Sequence, residues 1–437
     1  MIRPARVAGA WVLVAALAAG CSETQPPDPR AGLPPTPWVT RATAEARGEV
    51  KTLPDGKRQA LRYKGWSSAD FGQFRTYAYD DTRPEPRPGK APMPAAAGDP
   101  KKGRSLFLAR AKGPCTGCHL IQGQDVWPAG NMGPDLSTFG DRGLTDEYVF
   151  NLIYDPRHIF PNTTMPPWGT SGMLAPGEVM DLVAFLKTQK GPPPPERDRE
   201  RNPNTRPKPP GFGDNLDSTN NPAVVRAEAA EASWARKGPA GKSCADCHPG
   251  GPGKAMKGVA THYPKYVQPY RRVMSIEDFL TVHAPETTGT QVLAQSAENL
   301  DMTILVKMAS NGMPVALDLS TPEHRAAFER GRASFHKRVG QRNHACADCH
   351  TTGSGRGAER FLGGRLLGNV ENGLTRHFPT WRTSQAQVWD MRKRMQWCLT
   401  PLGMNMLPAD AVEYAELELY LTSFDQGEPL SVPGIRH

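Results

Sequence analysis

The chain has 437 residues, of which 38% are hydrophobic and 8% aromatic, with 43 glycines, 44 prolines, eight cysteines and a formal charge of +9. That length fits about three domains, and so much glycine and proline foretells extensive loops. Beyond the N-terminal leader no stretch is apolar enough to span a bilayer.

Residues 1–21 read as an export signal: Arg3 and Arg6, an apolar run from Val7 to Leu17, then small residues up to Gly20-Cys21. A cysteine after Ala-Gly makes Cys21 a candidate lipid anchor; ordinary cleavage nearby is the alternative, because Ala18 stands where such signals usually carry leucine. Residues 22–95, rich in Pro, Arg and Ala with an aromatic island from Tyr63 to Tyr79, read as an irregular extension.

From residue 96 the pattern sharpens into a unit ending near 190. A helix is expected over Lys101–Lys112, followed by Cys115-Thr-Gly-Cys118-His119 and a loop, Gly130-Asn-Met-Gly-Pro-Asp-Leu136. Thr145 with Asp146 and Glu147 opens a second helix, which Asp155-Pro156 closes. Val179, Leu182, Val183 and Leu186 recur at helical spacing and mark a third, amphipathic helix. Residues 191–218 hold a four-proline run and Arg-Pro-Lys-Pro-Pro, the composition of a semi-rigid polyproline spacer with solvated basic residues. Two further units follow, 219–320 and 321–437, each keyed by an identical Cys-Ala-Asp-Cys-His: Cys244 to His248 and Cys346 to His350. Helices are expected over Ala223–Lys237 and Met302–Ser310 in one, and over Glu323–Arg338 and Val412–Leu421 in the other. The fold class is mainly α, with three tandem cytochrome c-type units and long loops.

Three C-x-x-C-H motifs imply three covalently bound c-type haems. Cys115 and Cys118, Cys244 and Cys247, and Cys346 and Cys349 form thioethers, while His119, His248 and His350 ligate iron. Haem propionates offset much of the basic charge, so nucleic acid is not an expected partner; local cations serve rather to steer an anion. Such haem is attached outside the bacterial cytoplasm, which agrees with the export signal and a periplasmic location. Each second ligand must come from elsewhere. In the first unit Met165, in Thr163-Thr-Met-Pro-Pro-Trp168, leads Met132 and Met173. For the second haem His262, Met274, His283 and Met302 are available. For the third they are His377, Met391, Met395, Cys398, Met404 and Met406. Cys398 is the cysteine left without a haem or a signal to explain it. In Arg392-Lys-Arg-Met-Gln-Trp-Cys398 a helix puts Arg394 on its face, and neighbouring cations favour a thiolate.

These residues resemble the SoxXA family, the cytochromes that start periplasmic thiosulfate oxidation, here as a fusion of both subunits. The SoxX-like part carries Cys115-Thr-Gly-Cys118-His119, Gly130-Asn-Met-Gly-Pro134, Ile153-Tyr-Asp-Pro156 and Met165-Pro-Pro-Trp-Gly169. The SoxA-like part carries Phe328-Glu-Arg-Gly-Arg332, Phe378-Pro-Thr-Trp-Arg382, Glu416-Leu-Glu-Leu-Tyr-Leu421 and Pro433-Gly-Ile-Arg436. The resemblance implies one SoxX-like and two SoxA-like haem domains, with Met165 as ligand of the first haem. It makes Cys398 both ligand of the third haem and catalytic residue, carried as a persulfide, with Arg394 beside it. Where the family usually has a cysteine ligand for the second haem, Ile276-Glu-Asp-Phe-Leu-Thr-Val-His283 puts histidine, so bis-histidine ligation is expected. After Cys398 this chain reads Leu399-Thr-Pro-Leu-Gly-Met, so part of the anion site differs from the family's. The implied activity is an L-cysteine S-thiosulfotransferase. It joins thiosulfate to a cysteine of a SoxYZ-like carrier protein and passes electrons to a small cytochrome c. A tetrathionate-forming thiosulfate dehydrogenase and a non-catalytic multihaem electron carrier are the alternatives.

Overall fold

A computed structural model describes residues 50–52, 58–60, 88–109, 115–124, 128–195, 199–207, 221–338, 342–351, 359–399, 409 and 411–436. The export signal with Cys21, nearly all of the 22–95 extension, part of the linker, and residues 400–408 after the candidate catalytic cysteine lie outside the described residues. Among the described residues no helix is long and apolar enough to cross a membrane.

Helix α1 (Pro100–Leu108) begins with proline in its first turn and the Asp99 carboxylate accepting from the Lys101 and Lys102 amides, so its start is doubly specified. After the single turn α2 (Cys115–Cys118), helix α3 (Asp146–Tyr154) is capped by the Thr145 hydroxyl and buries Val149, Phe150 and Ile153. Helix α4 (Pro176–Lys187) buries all four apolar residues of the predicted stripe. It crosses α1 so closely that a Cβ on Gly103 would lie 1.9 Å from the Asp181 carbonyl oxygen; only glycine permits that contact.

The same device recurs twice. Helices α5 (Pro222–Ala235), α6 (Cys244–Cys247), α7 (Gly251–Ala255), α8 (Ile276–Thr287) and α9 (Ala297–Met308) follow the linker. There α5 offers Ala223, Ala227 and Ala230 to Leu300, Ile304 and Leu305 of α9. Next come α10 (Pro322–His336), α11 (Cys346–His350), α12 (Met391–Leu399) and α13 (Val412–Thr422). A Cβ on Gly331 of α10 would stand 2.0 Å from the Glu416 carbonyl oxygen of α13. Small residues at each crossing let backbones approach and seal an apolar layer beside each C-x-x-C-H turn.

The sequence reading has no strands, yet short ones occur. The pair β1 (Val50–Thr52) and β2 (Arg58–Ala60) stands apart. Hairpins form from β3 (Lys265–Val267) with β4 (Arg272–Met274) and from β5 (Arg360–Leu362) with β6 (Arg365–Leu367). A three-stranded sheet has β7 (Thr380–Arg382) at its centre, antiparallel to β8 (Gln387–Trp389) and parallel to β9 (Gly434–Arg436). Three-residue strands are too short to show a period of two. The β3–β4 and β7–β8 hairpins are copies of one another. Each follows a cis X-Pro bond, at Tyr263-Pro264 or Phe378-Pro379, and turns through a left-handed residue, Arg271 or Ala386. Each then leads into a helix, α8 or α12.

Those two helices are tied together by buried charge. The Arg392 guanidinium of α12 donates to Ser275 Oγ, the N-cap of α8, at 2.8 Å and to Asp278 Oδ2 at 2.6 Å. Its Nη1 also lies 3.4 Å from Glu418 Oε2 of α13 and 3.9 Å from Glu277 Oε2. Lys307 of α9 donates to Glu277 Oε1 at 3.1 Å. With Asp390, these groups are all buried. The Glu418 carboxyl is pushed up to about 7, chiefly by that burial, against the pull of Arg392.

The linker departs from expectation in one respect: Arg206 is an anchor, not a solvated cation. It donates to the carbonyls of Ala129 and Gly363, both at 2.9 Å, and lies over the Phe361 ring at 4.9 Å.

Replacing Arg392 by alanine leaves uncompensated buried carboxylates and lowers unfolding stability by about 3–5 kcal/mol, measured by denaturant titration of the haem-loaded protein. A second outcome concerns pH. Burial, aided by Arg376, holds the His377 imidazole down at about 4, below its ordinary 6.5. Its stabilising contribution is therefore complete above pH 6.5 and is lost as pH falls toward 4. The acid-side loss of stability is shallower in His377→Gln, read from denaturation midpoints at stepped pH.

Candidate active site and haem-binding motifs

Each C-x-x-C-H forms one helical turn, so the two thiols share a face and the histidine follows at once. His119 Nδ1–H donates to the Pro134 carbonyl at 2.8 Å, and His350 Nδ1–H to the Gly368 carbonyl at 2.7 Å. A carbonyl can only accept, so these contacts put the proton on Nδ1 and make Nε2 the nitrogen suited to bind iron. The Gly130-Asn-Met-Gly-Pro134 loop has two tasks. A Cβ on Gly133 would lie 2.3 Å from His119 Cε1, and one on Gly130 would lie 2.6 Å from the Phe361 carbonyl oxygen of β5. Asn131 then pairs with β5: its amide donates to the Phe361 carbonyl at 3.1 Å and its Oδ1 accepts from the Phe361 amide at 2.7 Å.

One continuous cavity of about 1310 Å³ is lined by His119 and Met165 at one end and by His350 and Cys398 at the other, with Cys118 and Cys349 between them. It exceeds the roughly 300–1,000 Å³ of a single ligand pocket and suits two macrocycles side by side. Met132 lines it too, whereas Met173 packs into the α1–α4 core.

Around the second motif, the His248 and His283 ring centroids are 6.3 Å apart. A metal–imidazole bond of about 2.0–2.1 Å on each side, plus the two ring half-widths, accounts for that interval. Of the rivals, His262 is exposed with its ring on the Ala316 carbonyl, and Met274 is buried in β4. His283 is the eighth residue of α8, and Cys398 is the eighth residue of α12. The duplicated hairpins thus deliver their helices so that each offers the same position to its motif. Four residues earlier the copies differ. Phe279 stacks on His283 at 4.7 Å, whereas Arg394 Nη1 donates to Cys398 Sγ at 3.4 Å.

Cys398 also makes a hydrogen bond with His350. Burial raises its thiol, but the His350 hydrogen bond and the charges of Arg394, His350 and Arg365 outweigh that and bring it to about 7. The attachment thiols of Cys115 and Cys346 are pushed the other way, chiefly by burial, to about 12. One cysteine stands out as thiolate-forming.

Sequence reading missed most of the cations here. Arg365, Arg382 and Arg436 line the cavity with Arg394, carried by β6, β7 and β9. Arg382 and Arg436 are direct neighbours in the parallel ladder, an arrangement that costs stability unless an anion lies between the charges. Arg382 is drawn down to about 10 by burial and by Arg394 and Arg365; burial does the same to Arg436. Among the described residues no carboxylate pairs with Arg365, Arg382 or Arg394. The strand pairing that gathers them joins segments some fifty residues apart, and only the Phe378–Arg382 and Pro433–Arg436 segments themselves were there to be noticed.

Helix pairs packed around C-x-x-C-H turns define a c-type cytochrome. Comparisons with known proteins agree. The family described as cytochrome C oxidase, cbb3-type, subunit III matches residues 98–186, and the SoxA/TsdA cytochrome c domain matches residues 229–315. The L-cysteine S-thiosulfotransferase subunit SoxA of Pseudaminobacter salicylatoxidans is 30% identical over 222 residues, 50% of this chain and 75% of the relative. Its counterpart in Rhodovulum sulfidophilum is 28% identical over 225 residues, 51% and 75% of the two chains. The crystal structure of SoxXA from P. pantotrophus superimposes with a TM-score of 0.45 at 26% identity, covering 50% of this chain and 80% of that one. The chain belongs to the SoxA family.

Gly133→Ala displaces the His119 imidazole at a cost of about 1–3 kcal/mol. Absorption and electron paramagnetic resonance spectra change at the first haem and stay constant at the second.

Proposed function

We propose that the chain is an L-cysteine S-thiosulfotransferase of the periplasm, built as three tandem haem units, 96–190, 219–320 and 321–437. In this reading Met165, His283 and Cys398 complete the iron ligation begun by His119, His248 and His350. The observation that carries it is the convergence of Arg365, Arg382 and Arg394 on the thiol with the lowered pKa.

The chemistry follows from charge. Thiosulfate is a dianion with a sulfonate end and a nucleophilic outer sulfur. Arg382 and Arg365 hold the sulfonate, and Arg394 keeps Cys398 ionised and aimed at the outer sulfur. Joining the two sulfurs makes one S–S bond and releases two electrons. Bound haem supplies one-electron acceptors, so several irons in one chain suit a two-electron oxidation, with a small cytochrome c as the final acceptor. The thiolate of a cysteine on a SoxYZ-like carrier protein then attacks the outer sulfur, and Cys398 departs as thiolate. Charge balances: a carrier thiolate and a thiosulfate dianion become a carrier-bound thiosulfonate monoanion and two electrons. Residues of the chain thus bind, orient and ionise.

Cys398→Ala abolishes thiosulfate-dependent cytochrome c reduction in the presence of carrier; turnover at the parental rate would refute the reading. Arg382→Gln removes a charged contact worth about 1.5–3 kcal/mol. The KM for thiosulfate rises by about 10–100-fold, with haem spectra unaltered, in steady-state assays.

A further inference from the structure

The loop that presents Met165 is gripped from the third unit. Arg338, just past the end of α10, donates through Nη1 to the Thr163 carbonyl and through Nη2 to the Asn162 carbonyl, the latter at 2.6 Å. His344 Nε2–H donates to the Thr164 carbonyl at 2.5 Å. Three successive carbonyls, ending at the residue before Met165, are therefore held by two side chains that begin more than 170 residues later in the chain. Within the loop itself the Met165 amide donates to Thr163 Oγ1 at 3.0 Å and the Thr163 amide to the Phe160 carbonyl at 3.0 Å.

The grip is itself tied to the third haem motif. Asp348, a spacer residue of Cys346-Ala-Asp348-Cys349-His350, accepts from Arg338 Nη2 at 3.0 Å through Oδ1. Its Oδ2 accepts from the Ala345 amide at 2.9 Å. The Arg338 side chain is 8% exposed and Asp348 13%, so water competes weakly for either. The equivalent spacer in the second motif, Asp246, caps its own helical turn by accepting from the Ser243 amide at 2.8 Å, and among the described residues no arginine pairs with it. The first motif, with Thr116 and Gly117, has no acid there.

We propose that Arg338 and His344 are positioning residues for Met165, so that ligation of the first iron is set by the haem-attachment turn of the third. The inference rests on the reading of Met165 as a ligand and goes beyond it. A thioether ligand raises haem potential, and side chains that orient a ligand tune the metal through it. With the loop held, sulfur stays at the iron and the first haem keeps a high potential. With the grip released, the thioether leaves in part of the population and the potential drops. The potential of the first haem thereby depends on the first and third units being docked.

The test uses the full-length, haem-loaded protein without thiosulfate or carrier. Arg338→Gln with His344→Leu is compared with the conservative Arg338→Lys and His344→Gln, each of which keeps one donor. The readouts are the near-infrared methionine–iron charge-transfer band, the upfield methionine methyl resonances of the reduced protein, and potentiometric titration. The double variant should lose most of the band and show a lowered potential for the first haem. The conservative variants should lose less, and the second haem's signals should stay constant as an internal check on folding. An unchanged band and potential in the double variant would overturn the inference. Should that variant fail to take up haem, Asp348→Asn decides, since it spares every ligand and attachment residue: a normal band there overturns the proposal, a weakened band supports it. Met165→Ala separates the two possible failures. A band that survives in Met165→Ala overturns the ligation reading itself. A band lost there but intact in the Arg338 and His344 variants overturns only the positioning role.

Discussion

A single guanidinium underlies the geometry of the SoxA-like half. Burying Arg392 is costly unless its charge is paired, and its two Nη groups meet partners from α8, α9 and α13 together: Ser275, Asp278, Glu277 with Lys307 behind it, and Glu418. Each of those residues is in turn expensive to bury alone. The cluster is therefore satisfied in one arrangement of four helices and in few others. That arrangement points α8 and α12, with His283 and Cys398 on them, toward their C-x-x-C-H turns. Hydrophobic packing at the α5–α9 and α10–α13 crossings contributes stability without direction; the ionic cluster supplies the direction.

On this frame a duplicated hairpin and helix differ at two paired positions, Phe279 against Arg394 and His283 against Cys398. In the first copy an aromatic ring, Phe279, occupies the turn before His283, and burial together with His248 keeps that imidazole neutral-leaning. In the second a cation, Arg394, occupies the same turn before Cys398 and favours its thiolate. An aromatic neighbour shields a ligand from solvent; a guanidinium stabilises negative charge and attracts more of it. Both copies bring the eighth residue of their helix toward a motif histidine, but among the described residues only the second gathers Arg365, Arg382 and Arg394 around it without carboxylate partners.

Much of this was legible beforehand, and the reasons are local. The Thr145 cap with its first-turn acids marks α3, and the Val179–Leu186 spacing marks α4, because a helix writes its period into consecutive residues. The motif spacing marks the haem-attachment cysteines for the same reason, but it left four candidates for the second haem's other ligand and six for the third's, from which the family resemblance drew His283 and Cys398. What stayed hidden depends on contacts between distant segments. Arg365, Arg382 and Arg436 become neighbours only through short strands, one of them joined in parallel from the C-terminus. Arg206 looked like a solvated spacer residue, since composition cannot reveal that two carbonyls and the Phe361 ring await it. Asp348 and Asp246 stand in identical motifs, and nothing in either pentapeptide tells which one faces another unit.

The anchor at Arg206 has a consequence for association. Two separate electron carriers of this size need an interface of about 1,200 Å² or more to stay together. Here one continuous chain makes their meeting intramolecular, so a far weaker interface is enough. A handful of contacts, from Arg206, Asn131 and Arg338, is then enough to keep the first and third units in register. Dilution cannot part them, whatever the abundance of the protein. Selection on that joint is relieved of affinity and left to act on alignment alone.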